Sequence, residues 1–562
     1  MNKIIECVPN FSEGVNLDII KQITNEVESV EGVRLLNVDP GKATNRTVVT
    51  FVGEPSRVIE AAFLAIKKAG ELIDMSKQKG EHPRMGATDV CPLIPISNIS
   101  MEETAEYARQ LARRVGEELQ IPVYLYENAQ PNKSRSNLSV IRAGEYEGFF
   151  KKIKLPEWAP DFGPAENDIK RGSTVIGARD FLVAYNVNLN TTSTRRANAI
   201  AFDVREAGRT LREGDPVTGK IITDGNGKPK SIPGSLKAVK AIGWYIEEYG
   251  VAQISMNLTN IEITPVHVAF DEVCTKANER GIRVTGSELV GLIPLKAMLD
   301  AGKYFLRKQQ RSVGVSEKEL IKIAIKSMGL DELGPFVPEE RIIEYLLKDK
   351  AGSKLISMSL TDFADETASE SPAPGGGSIS AYVGSLGASL AGMVANLSSH
   401  KKGWDSRWAE FSDWAGQAQQ YKNELLTLVD LDTAAFNKIM ESFSLPKSTD
   451  EEKAARDQAI QDATRYAIEI PFKVMQAALN SMEVIKAMVE IGNANSLTDA
   501  GVAALCARTA VLGAFMNVKI NASGYKDKDY VLDIIYRGNE IERQAIALEA
   551  EIIELVNGKI RL

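Results

Sequence analysis

Two periodicities divide the chain. Before Ser312, runs in which apolar and polar side chains alternate, the period of a half-buried strand, are interleaved with runs whose apolar positions recur every three or four residues, the period of an amphipathic helix. IIECVPNFSEG predicts a strand ending in a Pro-Asn turn, followed by a helix from about Asn16 to Val30. GVRLLNVDPG predicts a strand that runs into a loop at Asp39-Pro40-Gly41. NRTVVTFVGEP alternates Val48, Thr50 and Val52 on one face with Val49 and Phe51 on the other. Helices from Pro55 to Gly70 and from Met101 to Leu119, with the strand PVYLYE, complete a first unit. Between those helices GEHPRMGATDVCPLIP is dense in Gly and Pro and predicts a loop.

A second unit starts near Gly177 with a similar order. FLVAYNVNLN, AQISMNLTNIEI and GIRVTGSELVG read as strands, and Thr192 to Ala207 and Val266 to Arg280 as helices. The pattern predicts two α/β units, each an antiparallel sheet with helices on one face. WAPDFGP is the turn segment between them, and residues 213–234, rich in Gly, Pro and Asp, read as a surface insertion. From Ser312 short helices lead to Leu347 and a polar linker, TDFADETASESPAPGGGS. Beyond it nearly every run has helical period, at 378–397, 403–444, 450–485, 498–518 and through Ile541–Val556, with VKINASG as the first strand-like exception. The expected division is 1–178 and 179–330 for the two α/β units, 331–358 for the linker, and 359–562 for an all-α domain.

At 562 residues the chain exceeds what one core holds. Its net charge of −8 argues against a nucleic-acid partner, whose electrostatic footprint is a basic domain. SISAYVGSLGASLAGMVANL, Ser378 to Leu397, carries no charge over a membrane-spanning length. Its small residues, Gly384, Gly387, Ala388, Ala391 and Gly392, suit a helix packed closely on other helices, and a buried helix rather than a membrane span is expected. The N-terminus lacks the long apolar run of a signal peptide. Cys7, Cys91, Cys274 and Cys506 are scattered without metal-ligand spacing, so buried thiols in a reducing cytoplasm are expected, with no metal.

Histidine occurs only at 82, 267 and 400. His82 sits among Glu81, Arg84 and Asp89 in the Gly/Pro-rich loop, the setting of a proton-exchanging group or of a turn histidine bonded to backbone. His267 reads as a packed or capping residue and His400 as a solvated helix end. Asp39 to Arg46 places a carboxylate, a hydroxyl at Thr44 and a guanidinium at strand ends, as a carboxylate-binding fork or as ordinary turn chemistry. PAPGGGS, 372–378, opens a helix with stacked glycines able to cradle an anion, without the Lys of a phosphate-binding P-loop. Asp430 and Asp432 flank Leu431 within a helix. Two positions apart they face different ways, and an inward carboxyl is either a structural group or an acid with a raised pKa. GNANSLTDAG reads as a loop ending in a helix cap.

Taken together these strings resemble one family, the bifunctional formimidoyltransferase–cyclodeaminases. ECVPNFSEG, TNRTVVTFVG, GEHPRMGATDVCP, RAGEYEG, WAPDFGP, GARDFLVAYNVNL, GWYIEE and GSELVGLIPL carry the resemblance in the first part. PAPGGGS, LVDLDTAAF, LPK, GNANSLTD and GAFMNVKIN carry it in the second. The resemblance covers nearly the whole chain, and only the 213–234 insertion departs from shorter members.

It implies transfer of the formimino group of N-formimino-L-glutamate to N5 of tetrahydrofolate, then cyclisation of 5-formiminotetrahydrofolate to 5,10-methenyltetrahydrofolate with loss of ammonia. By motif, the transferase histidine falls on His82 and the cyclodeaminase aspartate on Asp432. Asp39, Thr44, Arg46 and Arg84 are the expected formiminoglutamate contacts, and Asp161, Phe162 and Gly163 the expected folate contacts in a groove between the α/β units. Gly375, Gly376, Gly377, Ser378, Asn493 and Asp499 are expected at the second site. The resemblance further implies tetrahydrofolate, polyglutamylated or not, as co-substrate, a homo-octamer and a cytoplasmic location. Two rival readings stand beside it: a C-terminal domain that hydrolyses methenyltetrahydrofolate, and a folate-binding scaffold without catalysis.

Overall fold

A computed structural model of the chain describes residues 3–42, 44–80, 83–214, 219–347 and 355–560. It divides into two compact units, residues 1–297 with 328–348, and residues 298–327 with 349–562.

In the first unit, strands β1 (Ile4–Cys7), β2 (Asn10–Phe11), β3 (Val33–Gly41), β4 (Arg46–Gly53), β5 (Thr88–Ser97), β6 (Val123–Glu127) and β7 (Thr174–Ala178) form one sheet. Its spatial order is β3-β4-β1/β2-β5-β7-β6, with β1 and β2 as successive pieces of one strand position. Helices α1 (Leu17–Glu28), α2 (Pro55–Leu72) and α3 (Met101–Glu118) cover one face. Strand side chains alternate between faces, so Ile5, Cys7, Val49, Phe51, Cys91 and Leu93 form the core under these helices. The expected helix starts hold: the Asn16 side chain caps α1, and Ser100 with Glu103 closes a capping box on α3.

The segment expected as a loop differs. Residues 88–97 form the central strand β5, buried over most of its length. Proline counts against a central strand because it cannot donate to the ladder. Here Pro92 is tolerated because its carbonyl still accepts from Val8 N at 3.2 Å. β5 pairs parallel with β7, and β7 parallel with β6, so this sheet is mixed where a wholly antiparallel one was expected. The parallel β6–β7 pair needs a crossover. That crossover carries α4 (Leu138–Arg142) and α5 (Glu145–Lys152) over the other face, where Ile141 and Phe149 pack on Val90, Tyr124, Tyr126 and Val175.

The second sheet of this unit comprises β8 (Val183–Leu189), β13 (Val239–Ile246), β14 (Val251–Leu258) and β15 (Val284–Val290), antiparallel in the order β13-β14-β8-β15. Helices α6 (Thr194–Val204) and α7 (Val266–Asn278) pack on it. The alternation of AQISMNLTNIEI outruns the strand. After Leu258 the Asn260 side chain accepts from Glu262 N and Ile263 N and turns the chain. Between α6 and β13 lie the two-residue strands β9 (Arg209–Thr210), β10 (Arg212–Glu213), β11 (Lys220–Ile221) and β12 (Ser231–Ile232), at the expected insertion; residues 215–218 of it lie outside the described residues.

Short helices α8 (Leu295–Lys308), α9 (Glu317–Met328), α10 (Pro338–Arg341), α11 (Ile343–Leu347) and α12 (Leu360–Ala368) precede the long ones. The second unit is dominated by α13 (Gly376–Ser399), α14 (Trp408–Ser444), α15 (Asp450–Ile491), α16 (Leu497–Ala522) and α17 (Lys528–Lys559). VKINASG is not strand: α16 runs through it, burying Val511, Ala514, Phe515, Val518 and Ala522 at helical spacing. Small residues let α13 approach its neighbours. A Cβ on Gly387 would stand 2.9 Å from Ala503 O. α13 and the stretch 494–522 are long and apolar enough to cross a membrane by length and composition alone. Here 61% and 50% of those windows are buried by neighbouring helices.

Candidate active sites

Beside α4 and α5, the face of the first sheet turned away from α1–α3 carries a cluster of charged and polar groups. Arg46, at the start of β4, donates to Asn10 Oδ1 on β2 and lies 3.7 Å from Asp89 Oδ2. Asp89 is fully buried and also accepts from Arg142 Nη2 at 2.7 Å and Met85 N at 3.1 Å. Two guanidiniums thus share one carboxylate, and Arg142 Nε, buried, has no hydrogen-bond partner among the described residues. Burial pushes Arg46 down to about 10 against the pull of Asp89, so it stays cationic at neutral pH. Among the described residues the cluster sets two guanidiniums against one carboxylate, an arrangement suited to an anionic group.

Asp39, at the far end of β3, has its carboxyl raised by burial; Arg341 opposes this and Glu288 on β15 adds to it. Those influences put the ends of β3 and β15 in one electrostatic neighbourhood. Thr44 closes the β3–β4 turn, its Oγ1 donating to Gly41 O at 3.1 Å. Gly80 lies against that turn, where a Cβ would stand 2.2 Å from Thr44 O. His82 and Glu81, which follow, lie outside the described residues. Arg84 beyond them is engaged: it donates to Gln78 Oε1 at 2.8 Å and pairs with Glu145 and Glu147, bracing the loop on α5.

Asp39, Thr44 and Arg46 are thus near one another. Asp161, Phe162 and Gly163 are not with them. Asp161 Oδ2 accepts from Leu125 N at 2.8 Å and Gln130 Nε2 at 3.0 Å, and Phe162 bridges to Val123 on β6. β3 and β6 are opposite edges of the sheet, five strand steps and so roughly 24 Å apart.

In the helical unit the Gly-rich start of α13 meets the middle of α14. Ser378 Oγ lies 2.9 Å from Asp432 Oδ2, 3.2 Å from Val429 O and 3.4 Å from Thr433 Oγ1. The Ser378 backbone N–H also points at Asp432. Burial raises the Asp432 carboxyl above the ordinary range, and the Ser378 hydrogen bonds pull the other way. One hydroxyl proton serves one acceptor at a time. With Asp432 ionised, Ser378 donates to it; with Asp432 protonated, Ser378 can turn to Val429 O and accept. The site therefore accommodates both protonation states.

Gly377 faces the carboxylate so closely that a Cβ would stand 2.2 Å from Asp432 Oδ1, and a Cβ on Gly376 would meet Asn517 Nδ2 at 3.3 Å. Gly377→Ala is accordingly expected to displace Asp432. A ~1 Å shift of a reacting group costs on the order of a hundredfold in rate. Assays of the two partial reactions check this: the loss should fall on the second alone, and equal losses in both would contradict it.

Asp430 faces elsewhere, its Oδ1 within 3.5 Å of Ile356 N. Asn493 and Asp499 are not brought to Asp432. Asn493 N donates to Ser398 Oγ at 2.8 Å, twenty residues (398 − 378) along α13 from Ser378, or roughly 30 Å. Asp499 opens α16, eighteen residues (517 − 499) from Asn517, or roughly 27 Å. Sequence reasoning did not single out Asn10, Arg142, Thr433 or Asn517. All lie within or beside the matching strings, but their roles come from pairing across strands and helices. Among the described residues no group of three or more His, Cys, Asp or Glu is placed to hold a metal ion.

Comparison with known proteins gives the family of the chain. Residues 4–179 match the family model "Formiminotransferase domain, N-terminal subdomain", 184–348 "Formiminotransferase domain", and 359–539 "Formiminotransferase-cyclodeaminase". The chain is 42% identical to the formimidoyltransferase-cyclodeaminase of Gallus gallus over 558 residues, 99% of both chains. It is 40% identical to the glutamate formimidoyltransferase of Streptococcus pyogenes serotype M1, covering 55% of this chain and 94% of that one. It is also 33% identical to the methenyltetrahydrofolate cyclohydrolase of Methylorubrum extorquens, over 36% of this chain and 97% of that one.

Proposed function

The chain belongs to the formimidoyltransferase-cyclodeaminase family, and from that premise we infer the chemistry of its two units. The enzyme moves the formimino group of N-formimino-L-glutamate onto N5 of tetrahydrofolate. It then closes 5-formiminotetrahydrofolate to 5,10-methenyltetrahydrofolate and releases ammonia. The observation that carries this reading is the half-buried Asp432 carboxyl seated on Gly377 and Ser378, in a chain matched from end to end by bifunctional relatives.

In the first reaction N5 attacks the amidinium carbon, giving a tetrahedral intermediate with two competing nitrogens. A proton must leave N5 and another must reach the departing glutamate nitrogen. We assign both to His82, whose imidazole exchanges protons near neutral pH. The Arg46–Asp89–Arg142 cluster holds a substrate carboxylate, with Asp39 and Thr44 beside it. In the second reaction N10 attacks the formimino carbon and ammonia leaves protonated. We assign the proton donor to Asp432, whose carboxyl burial raises above the ordinary range against the Ser378 hydrogen bonds.

The test is a paired assay on the full chain given formiminoglutamate and tetrahydrofolate, following methenyltetrahydrofolate absorbance and free ammonia. Both products are expected in equal amounts. Neither product, with folate still bound, would leave a folate-binding scaffold. The similarity to a cyclohydrolase favours one further reading, hydrolysis of methenyltetrahydrofolate by the helical unit. Ammonia from supplied 5-formiminotetrahydrofolate separates the two, since a hydrolase releases none.

Arg46→Ala is expected to raise the formiminoglutamate KM about 10- to 100-fold, the worth of a charged hydrogen bond, with Lys a poor replacement for a forked donor. Steady-state kinetics with each substrate varied checks this, and an unchanged KM would remove Arg46 from the binding site.

Beyond these reactions we place the enzyme in the breakdown of histidine to glutamate, in the cytoplasm, with polyglutamylated tetrahydrofolate passing directly between sites. We also propose a homo-octamer. Exposed Leu386, Met393 and Leu397 on α13, with Val502, Leu505, Met516 and Ile520 on α16, leave apolar stripes that self-association would cover. Sedimentation of the purified chain tests the assembly.

A further inference from the structure

Glu6, on the face of the first sheet turned away from α1–α3, is a titratable group that the proposed chemistry leaves unused, and its surroundings are unusual. Ile5 and Cys7, on either side of it in β1, face the helices, so Glu6 points to the opposite face. Its register neighbours there are Val52 on β4 and Ile94 on β5, both apolar and buried. Only 1% of Glu6 is exposed, and neither carboxylate oxygen has a hydrogen-bond partner among the described residues. Arg179 is close enough to act on it, but its own guanidinium bonds to the Asp180 carbonyl at 3.0 Å and to Tyr126. Burial drives the carboxyl up to about 7 in spite of that cation. Asp89 and Glu288 differ: Asp89 is filled by Arg142 and Met85 N, and Glu288 by Asn186, Gln253 and Tyr249.

A buried carboxyl with two empty acceptors is destabilising until something donates to both. The ideal complement is planar, with two N–H groups side by side. One co-substrate of the transferase carries that edge away from its reacting atom: the N3–H and 2-amino group of the tetrahydrofolate ring. Glu6 precedes Asn10 by four residues on the same face, and Asn10 holds Arg46. That spacing is roughly 13 Å along extended chain. It suits one end of a ligand whose reacting centre lies toward Arg46 and whose planar edge points away.

We infer that Glu6 is a specificity residue of the transferase site, taking the paired N–H donors of an N–C–N edge in a bidentate hydrogen bond. This rests on the transferase reading above.

The test uses the full chain and Glu6→Gln, which keeps size and shape but turns one acceptor into a donor. The wild type is assayed first for formimino transfer; if it shows none, the functional reading itself fails. With the wild type active, binding of tetrahydrofolate and of formiminoglutamate is titrated separately for both proteins, and each KM is measured. Tenfold or greater weakening of tetrahydrofolate, with formiminoglutamate unchanged, supports the inference and assigns Glu6 to the ring edge. Weakening of formiminoglutamate alone, loss of neither, or equal loss of both, as a damaged fold would give, overturns it.

Discussion

Asp432→Asn will stop ammonia release while leaving formimino transfer intact, so that 5-formiminotetrahydrofolate accumulates at the expense of the methenyl product. The expected loss in the second reaction is ~10²–10⁴-fold, the usual worth of a positioned acid. The argument is geometric before it is electrostatic. Asp432 accepts from the side chain and backbone of Ser378, is pressed by Gly377, and sits where the α13 N-terminus directs its free amides. Asparagine keeps the shape and an acceptor oxygen but has no proton to give.

The pH profile supplies a second readout. Burial raises the Asp432 carboxyl, so the acid form persists to higher pH than a free carboxyl allows, and the rate of a step that needs the acid falls as pH rises through that value. Ser378→Ala removes a hydrogen bond that favours the ionised form. It should therefore shift this limb to higher pH rather than abolish turnover. Wild-type ammonia release from Asp432→Asn would exclude Asp432 as the donor.

Much of this site was legible in one dimension because its parts are local strings. PAPGGGS and LVDLDTAAF each carry their chemistry within a few residues, and the fold had only to bring one helix start against one helix middle. The transferase face was less legible because its groups come from separate strands. Arg142 and Asp89 are 53 residues apart, and their pairing depends on a crossover that sends α4 over the face opposite the main helices. Glu6 gave one faint signal, a charge in an otherwise apolar run. A period-two pattern says that it faces away from Ile5 and Cys7, not that Val52 and Ile94 enclose it.

The misreadings have physical causes of the same kind. β5 was hidden by Pro92 and Pro95, whose lost donors are tolerated within the sheet. VKINASG alternates in hydropathy, yet its buried positions continue a helical stripe begun at Leu497. Asp161 lies away from Arg46, and Asn493 and Asp499 away from Asp432; their part as folate contacts is a separate matter, since polar residues in turns and at helix starts both satisfy backbone and bind substrate. Asp161 ties down β6, and Asn493 caps a turn of its own.

Asp89→Ala should have the largest effect on the first unit, on folding and transfer together. Among the described residues Asp89 is the carboxylate shared by Arg142 at 2.7 Å and Arg46 at 3.7 Å, and it is itself fully buried. Removing one partner of a buried ion pair leaves the opposing charge short of a counter-charge at low dielectric, and about 3–5 kcal/mol of stability is lost. The same carboxylate accepts from Met85 N, which fixes the chain just beyond Arg84. The segment just after the proposed transferase histidine thus loses one of its anchors when the cluster fails. Denaturant unfolding of the full chain should show an earlier transition for the first unit, and formimino transfer should fall with it. Ammonia release from supplied 5-formiminotetrahydrofolate should persist, because Asp432 belongs to the other compact unit. Asp89→Asn keeps an oxygen for Met85 N and loses only the charge, so comparing the two variants separates loop anchoring from charge balance. Transfer retained in Asn but lost in Ala would assign the residue to anchoring. Loss in both would assign it to the charge that holds Arg46 and Arg142 in place. A stability change within about 0.5 kcal/mol for Ala, the range of an ordinary surface substitution, would show that the cluster is not the structural centre of the transferase site.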